Sequence, residues 1–203
     1  MQIIGGTESA AVELTGFGMA INALSRLLVG ISEADWSTVD HLVDSGYEVV
    51  RQAGRREFLA QFNLAKAEAT VRRLRGAAAN ADLISSAILA CDEALDIAER
   101  DQLPLIVAEA LRIRGSLQGI AGERQKAIHD FERSFEIASE RHMRPLITDI
   151  RIDRLWAFGH SDTYPWGTPL DDLEVAGRLV DECEYRYRDK DIELLSASLY
   201  QEN

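Results

Sequence analysis

Ala87-Ile88-Leu89-Ala90-Cys91-Asp92-Glu93-Ala94-Leu95-Asp96-Ile97-Ala98 is answered 40 residues later by Ala127-Ile128-His129-Asp130-Phe131-Glu132-Arg133-Ser134-Phe135-Glu136-Ile137-Ala138. Ala87, Ile88, Ile97 and Ala98 return as identities. Asp92 and Asp96 keep their charge as Glu132 and Glu136, and Leu95 keeps its bulk as Phe135. Self-similarity at a period of roughly 20 to 50 residues marks a repeat array, whose units cannot bury their apolar faces alone and stack on neighbours. Such a chain is expected to be a scaffold that binds another molecule.

Outward from this stretch the chain reads as helix. Ile84, Ala87, Ile88, Cys91, Ala94, Leu95 and Ala98 recur at steps of three and four, which places them on one broad face of small residues. Pro104 and Pro145 suit the first turns of the helices that follow each copy, because a missing N–H costs nothing there. The same periodicity predicts helices over Ser9–Val29, Ser32–Ala53, Arg55–Ala77, Leu83–Arg100, Pro104 to about Gly119–Gly122, Glu123–Arg141, Pro145–Phe158, Leu170–Tyr187 and a short Asp191–Tyr200. Ser32 followed by Asp35 resembles a capping box. The stretch 159–169, with two prolines and two glycines, is expected as a loop. The predicted fold is all-α with eight to nine helices, a right-handed α-solenoid of antiparallel hairpins. An atypical hairpin over 1–54 would act as cap or self-association surface, and 55–203 would form the array.

These spacings resemble the tetratricopeptide repeat. Its second helix carries a small residue, a bulky one four later and a small one three after that. Ala87-Cys91-Ala94, Ala127-Phe131-Ser134 and Ala176-Val180-Cys183 keep the pattern, and Gly46-Val50-Ala53 keeps it more weakly. Gly115, twelve residues before Ala127, matches the glycine of the first helix. The chain departs from the family in its period of 40 to 41, against about 34. It also has Leu111 and Gln118 at the aromatic places, and Arg75 where a second glycine would stand. It looks like the longer, degenerate repeats of bacterial regulatory and signalling proteins. The resemblance implies partner binding in a groove lined by the first helices of the hairpins.

Composition bounds the rest. With 22 basic and 34 acidic residues the net charge is −12, which repels a phosphate backbone and favours neutral or basic partners over nucleic acid or an anionic membrane. Cys91 and Cys183 stand far apart and outside any Cys-x-x-Cys pair, a usage that suits a reducing compartment, although a bridge between them stays open. No basic residue precedes Arg26, and Glu13, Asn22, Ser25 and Arg26 interrupt the apolar run Ala10–Ile31. The expectation is therefore a cytoplasmic protein without signal or membrane span.

No phosphate-binding, dinucleotide, zincin or nucleophile-elbow motif occurs in the sequence, so no enzyme, cofactor or metal is expected. His160 with Asp162 offers two ligands close together where a site needs three or four. Cys91 and Cys183 fall on close-packed positions of the repeat and read as core rather than as reactive thiols. Asp171, Asp172 and Glu174 sit in an opening turn, where negative charge favours the helix dipole.

Two groups remain as candidate partner sites. Arg72 and Arg112 lie 40 residues apart, with Arg151 or Arg154 in the next unit. A recurring guanidinium on the concave groove would clamp carboxylates of a peptide, the alternative being ordinary pairing along its own helix. In the loop, Tyr164 and Trp166 beside prolines would be rigid interface anchors, or would fold back to seal the core between the helices on either side. The function read from sequence is a protein or peptide interaction scaffold, with a small-molecule sensor using the same groove as the alternative. A homodimer through the first hairpin is a further possibility.

Overall fold

A computed structural model describes Gly18 and residues 36–54, 56–75 and 77–201. The predicted helix over Ser9–Val29, the capping box at Ser32 and with them the self-association surface of the first hairpin lie outside the described residues. Among the described residues the fold is all-helical, without strands. The elements are α1 (Trp36–Ala53), α2 (Arg56–Leu74), α3 (Ala81–Arg100), α4 (Pro104–Ile120), α5 (Arg124–Glu140), α6 (Arg144–Phe158), α7 (Pro169–Glu182), a 3-10 turn at Arg186–Arg188 and α8 (Asp189–Gln201).

Local chemistry sets these boundaries. Asn80 caps α3 by accepting from the Leu83 N–H at 3.1 Å, and Thr168 caps α7 by accepting from Asp171 at 3.1 Å. Four helix exits share one device: Gln102, Gly122, His142 and Glu184 take φ of 55°, 77°, 56° and 52°. In each, the next N–H reaches back five residues, as in Leu103 to Ala98 (2.8 Å), Glu123 to Gln118 (2.8 Å), Met143 to Ala138 (2.9 Å) and Tyr185 to Val180 (2.9 Å). This satisfies carbonyls that would otherwise be orphaned and reverses the chain. The left-handed Glu184 ends α7 at Glu182, which corrects the expectation of a helix to Tyr187. Likewise α2 stops at Leu74, short of Ala77.

The chain divides into two compact units, Met1–Ala110 and Leu111–Asn203. In the first, Val39, Val43 and Val50 of α1 share a core with Phe62, Ala65 and Ala69 of α2. In the second, Ile152 and Leu155 of α6, Leu173 and Ala176 of α7 and Leu195 and Leu199 of α8 form the core. Gly115 lets α4 approach α5, since a Cβ there would stand 3.3 Å from the Phe131 ring and from the Ala127 carbonyl. No helix among the described residues is long and apolar enough to cross a membrane.

Candidate functional site

Burial reveals the register of the helices preceding the repeat motif. Ala67, Ala108 and Thr148 are buried at equivalent places in α2, α4 and α6, as are Ala69, Ala110 and Ile150. In that register an acidic residue recurs at Glu68, Glu109 and Asp149, and an arginine at Arg73, Arg114 and Arg154, at spacings of 41 and 40. The recurring arginine is therefore not Arg72 with Arg112. Arg73 donates to Asp40 at 2.7 Å and lies 5.1 Å over the Trp36 ring. Arg114 grips Asp130 through Nε and Nη2 at 2.6 and 2.9 Å. Arg154 donates to the Phe131 carbonyl at 3.1 Å and stacks on Phe135 and Trp166 at 4.8 and 4.1 Å. Burial pulls its guanidinium down to about 10, against the pull of Asp172.

The expected open row of arginines is corrected by these contacts. Arg72 is 3% exposed and donates to Glu68 at 2.9 Å, and Arg112 is 6% exposed and pairs with Asp153. Arg151 pairs with Asp172, and Arg154 is buried. A buried guanidinium needs a carboxylate beside it, and in this chain its own helices supply one.

The loop also turns inward, following the second of its two readings. Trp166 meets Phe131, Phe158 and Tyr164 edge to face at 6.0, 5.7 and 5.4 Å. Tyr164 donates its hydroxyl to Asp172, and burial, then Asp172, pushes its pKa up. Arg124 holds the Thr163 carbonyl, donates to Thr163 Oγ1 at 3.0 Å and lies 4.9 Å over the Phe158 ring. Residues 163–166 thus bridge α5 and α7 above α6. His160 is engaged through Nε2 with Ser198 Oγ at 2.8 Å, beside an open cavity of about 440 Å³ that Asp162 and Leu199 help line.

Sequence reasoning missed a second inward lock. Arg188, 1% exposed, donates to Asp149 at 2.7 Å and Asp191 at 2.9 Å. Tyr185 and Tyr187 add hydroxyls to Asp149 at 3.0 and 3.1 Å, and Trp156 donates to Asp191 at 3.0 Å. Burial raises the Asp149 pKa, while Arg188 and Arg112 oppose it. The alternating Tyr185-Arg186-Tyr187-Arg188, out of helical period, was the available signal.

A further open feature lies in the first unit. Here α1 and α3 stand on either side of α2 and leave a groove with two cavities of about 330 and 180 Å³, both touching Val43, Asp44, Lys66 and Ser86. Phe62, Asn63, Lys66 and Ala69 make its floor, with Tyr47 on one wall and Leu83 and Leu89 on the other. Leu89 is 64% exposed on the rim. Lys66 pairs with Asp44 at 3.2 Å, Arg73 with Asp40 at 2.7 Å, and Glu93 accepts from the Asn63 amide at 3.1 Å.

Among the described residues no His or Cys lines this groove. Among the described residues no three His, Cys, Asp or Glu side chains converge as metal ligands. Cys91 is fully buried and both cysteines are free thiols. A cleft of mixed polar and apolar lining that carries paired charges recognises a shape and a charge pattern. The chain matches no family model, no curated protein and no solved structure.

Proposed function

We propose that this chain is a cytoplasmic interaction scaffold of tetratricopeptide-like hairpins, stacked as a right-handed solenoid, that holds a protein or peptide partner in the groove between α1 and α3. A role in bacterial regulation or signalling goes with that reading. The observation that carries it is the groove itself: a cleft of mixed polar and apolar lining in which Leu89 stands 64% exposed near the half-buried Tyr47 and Leu83, open where the other candidate side chains are engaged internally. Apolar surface beside a few placed charges favours a partner that covers it.

The test is Ser86→Trp, which sets an indole at an exposed position that lines both cavities and obstructs them. The full-length chain and the variant are used as baits in the native cell. The variant is expected to keep wild-type helix content and lose the partner, and retention of the partner would overturn the proposal. A small-molecule sensor is the second reading, favoured by the 330 Å³ cavity, which lies within the range of about 300–1,000 Å³ typical of ligand sites. Stabilisation of the purified chain by a low-molecular-weight extract, abolished by Ser86→Trp, would decide for it.

A further inference from the structure

The second unit shows what a groove of this kind holds when it is full. Gly46-Val50-Ala53 of α1 corresponds to Ala127-Phe131-Ser134 of α5, and Ala87-Cys91-Ala94 of α3 to Ala176-Val180-Cys183 of α7. The burial register sets Ala69 and Arg73 of α2 at the places of Ile150 and Arg154 of α6. Val43, Thr70 and Leu83 of the open groove therefore stand where Arg124, Arg151 and Asp172 stand in the second unit. Those three surround the loop: Arg124 holds Thr163, Asp172 accepts from Tyr164, and Arg151 pairs with Asp172. The α6–α7 link spans ten residues, 159–168, and folds over its groove, whereas the α2–α3 link spans six, 75–80. Among the described residues the first unit has the groove without such an insert.

The geometry points to a guest supplied from outside: an extended segment of a partner protein, carrying an aromatic side chain with a lysine or arginine close by, occupies the α1–α3 groove as residues 163–166 occupy the α5–α7 groove. This deepens the proposed function and rests on the groove being the binding site. Three features set the chemistry of the guest. Val43 and Leu83 replace Arg124 and Asp172, so the walls favour an apolar ring over a hydrogen-bonded phenol. Trp36 already stacks on Arg73 as Trp166 does on Arg154, so the ring belongs further along, between Tyr47 and Leu89.

Charge completes the description. Asp40 and Asp44 are neutralised by Arg73 and Lys66, while Glu93 meets only the Asn63 amide among the described residues. One carboxylate is left over at the Tyr47 and Leu89 end, in a chain of net charge −12. A cation on the guest answers it. From Phe62 to Arg73 the floor is about 16 Å long at 1.5 Å per residue, the reach of roughly five extended residues.

The test uses fluorescein-labelled hexapeptides in the order of the chain's own Asp162–Gly167, which carries Tyr164 and Trp166. One has the natural sequence, one carries Asp162→Lys, and one carries Asp162→Lys with Trp166→Ala. Binding to the full chain is read by fluorescence anisotropy. The lysine peptide is expected to bind at least about tenfold more tightly than its Trp166→Ala form and more tightly than the natural peptide. Glu93→Lys in the chain should invert the preference between lysine and natural peptides, and Ser86→Trp should abolish binding. Circular dichroism checks that both variants keep wild-type helix content.

Equal binding of the peptide lacking tryptophan overturns the inference. So does binding undiminished by Ser86→Trp, which would mean that the peptide displaces the native loop in the second unit. If no peptide binds while Ser86→Trp still loses its native-cell partner, the aromatic and basic guest is wrong and the groove stands. If Ser86→Trp keeps that partner, the groove itself is excluded.

Discussion

Replacing Trp166 by alanine tests whether the loop is a filling of the second unit or an ornament on it. Full truncation of a buried tryptophan costs about 3–5 kcal/mol. Trp166 is half-buried against Phe131, Phe158, Tyr164 and Arg154, which scales the loss to about 2–3 kcal/mol. Its indole Nε1 is buried and meets no acceptor among the described residues, so removing it returns about 1 kcal/mol. The net expectation is a loss of about 1–2 kcal/mol, or roughly 2–8 °C in Tm for a chain of this length.

Trp166→Phe keeps a ring for the edge contacts and for Arg154 while discarding the unpaired N–H. It should stay within about 1 kcal/mol of the wild type. Urea unfolding followed by far-UV circular dichroism measures both variants without relying on tryptophan emission. A Trp166→Ala variant within about 0.5 kcal/mol of wild type would refute the packing, and with it the use of the loop as a guide to the open groove. A Trp166→Phe variant as damaged as the alanine one would show that the indole N–H has a partner after all.

Arg188→Ala strands Asp149 and Asp191 in the interior and should cost about 3–5 kcal/mol in the same assay; a loss below about 1 kcal/mol would mean that the network is solvated. Gly115→Ala is expected to be nearly neutral, because about 1 kcal/mol of helix propensity offsets a Cβ pressed on Phe131, whereas Gly115→Leu should lose about 2–3 kcal/mol by overpacking. Equal melting temperatures for the two would contradict the close approach of α4 and α5. Tyr164 has a folded pKa above its unfolded value, so its contribution is present below about pH 10 and lost as pH rises beyond that. Tyr164→Phe should therefore flatten the alkaline decline in stability, and parallel declines in the two proteins would show that the phenol is not held by Asp172.

The helices were legible because their signals are local. Pro104 and Pro145 opened α4 and α6 at or within a residue of the expected place, and the three- and four-residue spacing of Ala87, Cys91 and Ala94 identified α3. The end of α7 was not legible, because Glu184 adopts φ 52° to close a turn and glutamate carries no sign of that conformation. The recurring arginines were misplaced by one residue in α2 and by two in α4. Identities between α3 and α5 give 40, but α2 and α4 align at 41. On a helix of 3.6 residues per turn a single step rotates a side chain by about 100°, enough to exchange the pairing face for the core.

Sequence alone determined the helical repeat, because small and bulky residues at fixed steps are a property of one helix and its period. It also determined the acidic character that favours a neutral or basic partner. Which groove is open and which is filled was decided by tertiary structure. A ten-residue insert and a six-residue link look alike as breaks between helices, and only packing shows that Thr163, Tyr164 and Trp166 lie against α5 and α7 while Tyr47, Ser86 and Leu89 line an open groove. Burial likewise decided the arginines, since carboxylates that neutralise Arg112 and Arg151 come from 41 and 21 residues away, and one of the two that hold Arg188 comes from 39 away, distances across which no helical period carries information.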